Sequence, residues 1–260
     1  MNNSATRKPL AFVLAVCCLF PVAFLLFQSA ARRWVYPNLL PQEFNFSAWR
    51  TLFQSGHLGG NLLLSLGTAT AVGSGATLAG FLTSKCISYH RWRKPLLFCA
   101  YIPFVISPVI FGVCILFLFI KLRLADGFFG VVLAQGIIAY GFATVFFGRF
   151  WNAQLRATEE LVYTLGGSVW DALVRALFPM ARGALFVCFC QAFLISWFDY
   201  GIVLIIGGGK VETLTIRIFT FINEASLPLA AASSCLLVFP PMLLFWANKK
   251  FVLTLPNERL

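Results

Sequence analysis

Few side chains in this 260-residue chain could do chemistry, and their types rule out more than they offer. There are only two histidines, His57 and His90, so a zinc constellation has nothing to build on. Seven of the eight cysteines (Cys17, Cys18, Cys99, Cys114, Cys188, Cys190 and Cys235) lie within apolar runs, where they behave as small hydrophobes. Cys188 and Cys190 would stand about 200° apart on a helix and cannot share an ion. No Gly-rich phosphate loop of the form G-x-x-x-x-G-K-[ST] occurs, so nucleotide hydrolysis is not expected of this chain. Asp199 is the one acid inside an apolar run. An ionisable group there is expensive and faces a cavity or a partner. Two readings stay open: a polar contact in a pathway through the membrane, for a cationic group, with Trp197 and Tyr200 beside it, or a structural hydrogen bond or pair with a residue on another helix.

The remaining acids and glycines of interest gather between positions 149 and 182. Arg156 to Leu165, which contains Glu159 and Glu160, reads as a helix. Gly166-Gly167 ends it, because glycine takes the left-handed conformation that closes helices. Ser168-Val-Trp-Asp171 has capping-box spacing, with Asp in place of the usual Glu. A second helix is predicted from Val169 to about Phe178, stopping at Pro179. It carries a ridge of Trp170, Leu173, Val174 and Leu177. That ridge needs burial, either on lipid headgroups or in the groove of a protein partner.

The elements that must hold these residues are membrane helices. The chain is 60% hydrophobic and 11% charged, whereas soluble domains carry about 25% charged residues. Apolar runs at 10–27, 61–82, 96–120, 128–148, 183–206 and 229–247 approach the roughly 20 residues of a bilayer-spanning helix. The fold class is therefore all-α, a polytopic membrane protein with six spans. The first run is read as a retained helix, being longer than a signal-peptide core. The domain organisation is a tail (1–8), a first span (9–31), an extracytoplasmic segment (32–60), a five-helix core (61–247) containing the 149–182 loop, and a second tail (248–260).

Six spans put both termini on one side. Arg7, Lys8, Lys85, Arg91, Arg93, Lys94, Arg149, Arg156, Arg175, Arg182, Lys249, Lys250 and Arg259 share that side, thirteen cations against seven opposite. The cation excess marks it as cytoplasmic. The net charge of +11 is thereby explained by orientation, without a nucleic-acid partner. In the second span, Gly67, Ala71, Gly75 and Ala79 recur every four residues, a spacing that lets another helix approach closely in lipid. Pro103 and Pro108 in the third span, and Pro240-Pro241 in the sixth, are expected to bend or break their helices.

At the 149–182 loop the residues resemble a known family. Glu159-Glu160-Leu-Val-Tyr-Thr-Leu165-Gly166-Gly167-Ser168, followed by Phe178-Pro179, is similar to the EAA loop of permease subunits of binding-protein-dependent ABC importers. Glu160, Gly166 and Pro179 match in type and spacing; Leu161 and Val162 replace the two family alanines. The resemblance covers roughly residues 40–247. It takes in Phe46–Leu66, Pro103 and Pro108, Trp197-Phe198-Asp199-Tyr200, the Gly207-Gly208-Gly209 turn and Glu212–Phe219. These stretches are similar to the polyamine, ferric-iron, thiamine and phosphonate group.

The resemblance implies a bacterial inner-membrane transport subunit that is not itself an enzyme. It implies a second permease (identical or paralogous), two cytosolic ATPases that bind the ATP and magnesium, and an extracytoplasmic solute-binding protein. It makes 169–178 the coupling helix and extends the ATPase-coupling set over Glu159, Glu160, Gly166, Gly167, Ser168, Trp170, Asp171, Leu173, Val174, Leu177 and Pro179. The substrate leans to thiamine, a polyamine or a similar small organic solute. An ion-gradient-driven secondary transporter is the alternative, although such proteins carry internal repeats and midplane ionisable clusters. An intramembrane enzyme would need a nucleophile and base, or metal ligands, near the membrane, and neither His lies in a span.

Overall fold

The computed structural model describes the backbone of residues 4–33, 43–54 and 56–254, and the side chains of 16–17, 19–31, 43–54, 56 and 58–249. The N-terminal tail's side chains, the Pro37 to Pro41 stretch and the end of the C-terminal tail lie outside the described residues. Among the described residues twelve α-helices follow in order: α1 (Ser4–Ser29), α2 (Ser47–Gln54), α3 (His57–Ser88), α4 (Arg93–Val105), α5 (Pro108–Lys121), α6 (Phe128–Gly148), α7 (Ala153–Thr164), α8 (Val169–Asp171), α9 (Phe178–Trp197), α10 (Gly201–Gly207), α11 (Leu214–Asn223) and α12 (Leu227–Thr254). Among the described residues, four helices are long and apolar enough to cross a membrane: Leu58–Ser88, Phe128–Gly148, Val169–Trp197 and Leu227–Lys249. Counting the bent pair α4–α5 as one span makes five. A sixth would rest on α1, 26 helical residues long.

The chain divides into two compact units. The first takes in residues 1–63 and 213–242. There a short ribbon, β1 (Ala31–Arg33) against β2 (Glu43–Phe44), pairs antiparallel. In α2, Ala48 and Leu52 are buried one turn apart, and the Trp49 indole donates to the Ser29 hydroxyl at 3.2 Å. The Thr213 hydroxyl caps α11 by accepting from the Ile216 amide.

The second unit takes in residues 64–212 and 243–260, including α4–α10. Its helices approach at glycines. A Cβ on Gly80 would sit 2.6 Å from the Ala143 Cβ of α6, and one on Gly141 would sit 2.5 Å from the Ala100 carbonyl of α4. Gly73 lies against Phe189 of α9. The predicted small-residue stripe behaves differently: a Cβ at Gly67 or Gly75 would meet nothing within 4 Å. Ala71, Gly75 and Ala79 line an open groove beside Gly136 and Tyr140 of α6. The close contacts thus fall on a neighbouring face of α3, because Gly73 and Gly80 are seven residues, about two turns, apart and point the same way.

Three predicted spans differ in detail. The third is broken, with α4 and α5 meeting at 99°. Ile106 and Ser107 are extended there, and Pro108 opens the new helix, as the restricted residue before a proline requires. The fifth, read as 183–206, breaks at Phe198–Tyr200, so Asp199 stands between α9 and α10. The sixth passes through Pro240-Pro241 without ending.

Candidate functional site

The 149–182 segment opens with Asn152, whose side-chain oxygen accepts from the Leu155 amide at 2.9 Å and starts α7. The helix closes in a Schellman turn. The Gly166 amide donates to the Tyr163 carbonyl, and the Gly167 amide to that of Val162. Gly166 sits at φ +81°, a conformation that penalises any L side chain. Gly167 is needed for another reason: a Cβ there would lie 2.5 Å from the Val162 side chain. Ser168 and Asp171 then form both halves of the capping box, the serine hydroxyl accepting from the Asp171 amide and the carboxylate accepting from the Ser168 amide.

The second helix does not stop at Pro179. From Asp171 it widens into a π-helical stretch, Ala172–Leu177, in which the Phe178 amide bonds to Leu173 five residues back. The wider turn makes room for the proline ring, which in an α-helix strikes the carbonyl four residues earlier. The helix then continues into α9, giving one run from Val169 to Trp197. The loop's second helix is therefore the beginning of a membrane-length helix rather than a free-standing segment.

The ridge divides by burial. Trp170 is 71% exposed, Val169 66% and Leu165 80%, with Leu161 and Val174 also exposed. Leu177 is fully buried and Leu173 half-buried, packing with Phe81, Phe147, Trp151 and Leu155 in an apolar cluster. Inward residues fasten the helix while outward ones form an uncovered apolar patch, beyond the usual scatter of single surface hydrophobes.

The two glutamates also separate. Glu160 pairs with Arg156 one turn away, both well exposed. Glu159 is only 8% exposed. Its Oε1 accepts from Lys85 Nζ of α3 at 2.5 Å and from the Tyr163 hydroxyl at 2.6 Å. The hydrogen bond to Glu159 pushes the Tyr163 phenol up to about 12. Sequence reasoning saw Lys85 only as one of the loop cations. Glu159 and Tyr163 at i,i+4 spacing were a usable signal; Lys85, 74 residues away, was not. The buried indole of Trp151, donating to the Ser84 hydroxyl at 2.8 Å, also escaped notice.

Asp199 accepts from Gln135 Nε2 of α6 at 2.9 Å and from the Val203 amide at 3.3 Å. The Gln135 carbonyl oxygen in turn accepts from the Ser196 hydroxyl at 2.6 Å. Trp197 is 2% exposed and stacks on Phe193 with ring centroids 5.6 Å apart, while Tyr200 is half-buried. The predicted pathway trio is thus not gathered on an open surface of this chain.

No family model matches the chain. A curated relative, the spermidine/putrescine transport system permease protein PotC of Haemophilus influenzae, is 23% identical over 244 residues, 92% of this chain and 93% of its own length. A solved structure, from a bacterial ABC transporter involved in the import of the acidic polysaccharide alginate, has a chain that superposes with TM-score 0.68 at 15% identity, covering 95% of both chains. The chain is similar to ABC importer permeases. This is the resemblance read from the loop, and it now extends over nearly the whole length. Such permeases are multi-pass membrane transport subunits and not enzymes.

Proposed function

We propose that this chain is one permease subunit of an ATP-driven importer of the bacterial inner membrane. A second permease completes the translocation pathway, a binding protein delivers the solute from outside, and cytosolic ATPases dock on the 149–182 loop. The observation that carries this reading is the uncovered patch of Leu161, Leu165, Val169, Trp170 and Val174. It stands on a helix pair held by a Schellman turn, a capping box and a buried ion pair. An apolar ridge on a preorganised support suits helix-in-groove recognition, and docking it costs little ordering entropy. ATP-driven closure of the ATPases would then move the loop as a rigid element and switch the side to which the pathway opens.

For the substrate, the likeness to PotC supports a polyamine, a small organic cation. Asp199 supports that choice less than its position suggested. Its carboxylate is already engaged by Gln135 and by the first amide groups of α10. We assign it the structural role of holding the α9–α10 break.

Purification of the tagged chain from membranes tests the docking reading. The wild type should retain an ATPase, and Trp170→Glu should lose most of it, since a charge would have to be buried at the patch. Equal retention by both overturns the assignment. Uptake of labelled spermidine or putrescine by the reconstituted complex tests the substrate. Transport of neither discards the polyamine reading while leaving the docking reading intact.

A further inference from the structure

The last two turns of α3 present one face to the start of the loop. Phe81, Ser84 and Lys85 are spaced at i, i+3 and i+4, which brings them onto a common side of the helix, and Tyr89 follows one residue past its end. Each contacts the loop. Phe81 packs on Trp151 and Phe178 with centroids 5.0 and 5.3 Å apart. Ser84 accepts from the Trp151 indole, Lys85 holds Glu159, and Tyr89 lies under the Arg156 guanidinium at 5.4 Å. The Phe81 and Ser84 contacts to Trp151 grip the loop where it leaves α6. On the body of α7, Tyr89 meets Arg156 at the exposed surface, whereas Lys85–Glu159 is nearly dry, with side chains 16% and 11% exposed.

We propose that Lys85, Glu159 and Tyr163 form a strut that fixes α7 to the end of α3, so that loop displacement is delivered to α3. The inference rests on the reading of this loop as the ATPase-docking element. Three features support it. The pair links elements 74 residues apart, so it fixes tertiary position and not local helix formation. Glu159 accepts from two donors in one place, which fixes its direction as well as its distance. The exposed Glu160, one residue on, makes its ion pair with Arg156 in its own helix. These residues position the docking loop and touch neither nucleotide nor solute.

A rigid strut predicts a defect in coupling rather than in assembly. The test reconstitutes the whole complex, permeases, ATPase and binding protein, and measures retained ATPase, ATP hydrolysis and solute uptake together. Lys85→Met is expected to keep the ATPase bound through the untouched apolar patch while importing less solute per ATP hydrolysed. The exchange Lys85→Glu with Glu159→Lys should restore that ratio. An unchanged ratio in Lys85→Met overturns the strut, as does an assembled exchange variant that restores nothing. If Lys85→Met fails to assemble, Tyr163→Phe decides: it removes one hydrogen bond to Glu159, and a wild-type ratio there overturns the proposal. A wild-type chain that retains no ATPase overturns the importer reading and the strut with it, whereas normal wild-type coupling with unaffected variants overturns the strut alone.

Discussion

At the scale of single residues, Gly166 and Gly167 are adjacent yet required for different reasons, and their substitutions should fail differently. At Gly166 a Cβ meets nothing within 4 Å, so the cost of Gly166→Val is the left-handed backbone alone. That penalty is about 1–2 kcal/mol and worst for a β-branched side chain. Gly166→Asn should be tolerated, since Asn visits this conformation. Gly167→Ala instead drives a methyl into the Val162 side chain and to 2.9 Å from the Val162 carbonyl oxygen, so Val162→Ala should rescue it only in part. Uptake by these single variants and by Gly166→Val and Gly167→Ala each combined with Val162→Ala, compared at equal protein level, checks the pair of mechanisms: rescue of Gly166→Val by Val162→Ala would contradict them. Tyr163 provides a pH counterpart. Its pKa is raised from 10 to about 12 because the protonated phenol donates to Glu159. A raised folded value means the contribution is complete below the unfolded pKa and is lost as pH rises through the folded one. The bond should therefore hold below about pH 10 and fail toward 12. Tyrosinate absorbance, titrated in wild type and Tyr163→Phe, should differ by one group ionising in that upper window; a difference near pH 10 would refute the assignment.

At the scale of elements, the helices were legible and several of their ends were not. Apolar runs reveal spans because lipid requires continuous hydrophobic surface and internally satisfied backbone. The turn from α7 to α8 was also readable, since glycine pairs and Ser-x-x-Asp are local signals. Pro179 misled because its effect depends on the turn before it, and the π-helical stretch at Ala172–Leu177 absorbs the ring. The break at Phe198–Tyr200 left no mark except Asp199, because the residues on both sides stay apolar. Its partner Gln135, 64 residues away and inside another apolar run, could not be found by spacing. The same holds for Lys85 and Glu159. The Asp199 network makes its own prediction. Gln135→Leu removes the side-chain donor to Asp199 and the acceptor for Ser196, leaving the half-buried carboxylate and the buried hydroxyl each one partner short. Each such group costs about 1–3 kcal/mol. The variant should lower the yield of folded protein and the unfolding temperature in detergent. Normal stability in Gln135→Leu would return Asp199 to the candidates for solute contact.

At the scale of the whole chain, the distribution of charge carries the orientation, and orientation decides whether the loop can act as proposed. Thirteen of the twenty Lys and Arg fall on the side assigned to the cytoplasm, including all four between 149 and 182. The same charge reading assigns to the other side Lys210, which is exposed and paired with Asp126 at 3.2 Å. Between Gln154 in α7 and Lys210 runs a single membrane-length helix, Val169–Trp197, so the two positions should face opposite compartments. In a background lacking the native cysteines, Lys210→Cys in intact cells should react with a membrane-impermeant maleimide. Gln154→Cys, also at an exposed position, should react only after the membrane is opened. Labelling of Gln154→Cys from outside would put the apolar patch beyond reach of a cytosolic ATPase. The docking reading would then fall, however well the fold matches a transporter chain, because fold alone does not fix the side on which a partner binds.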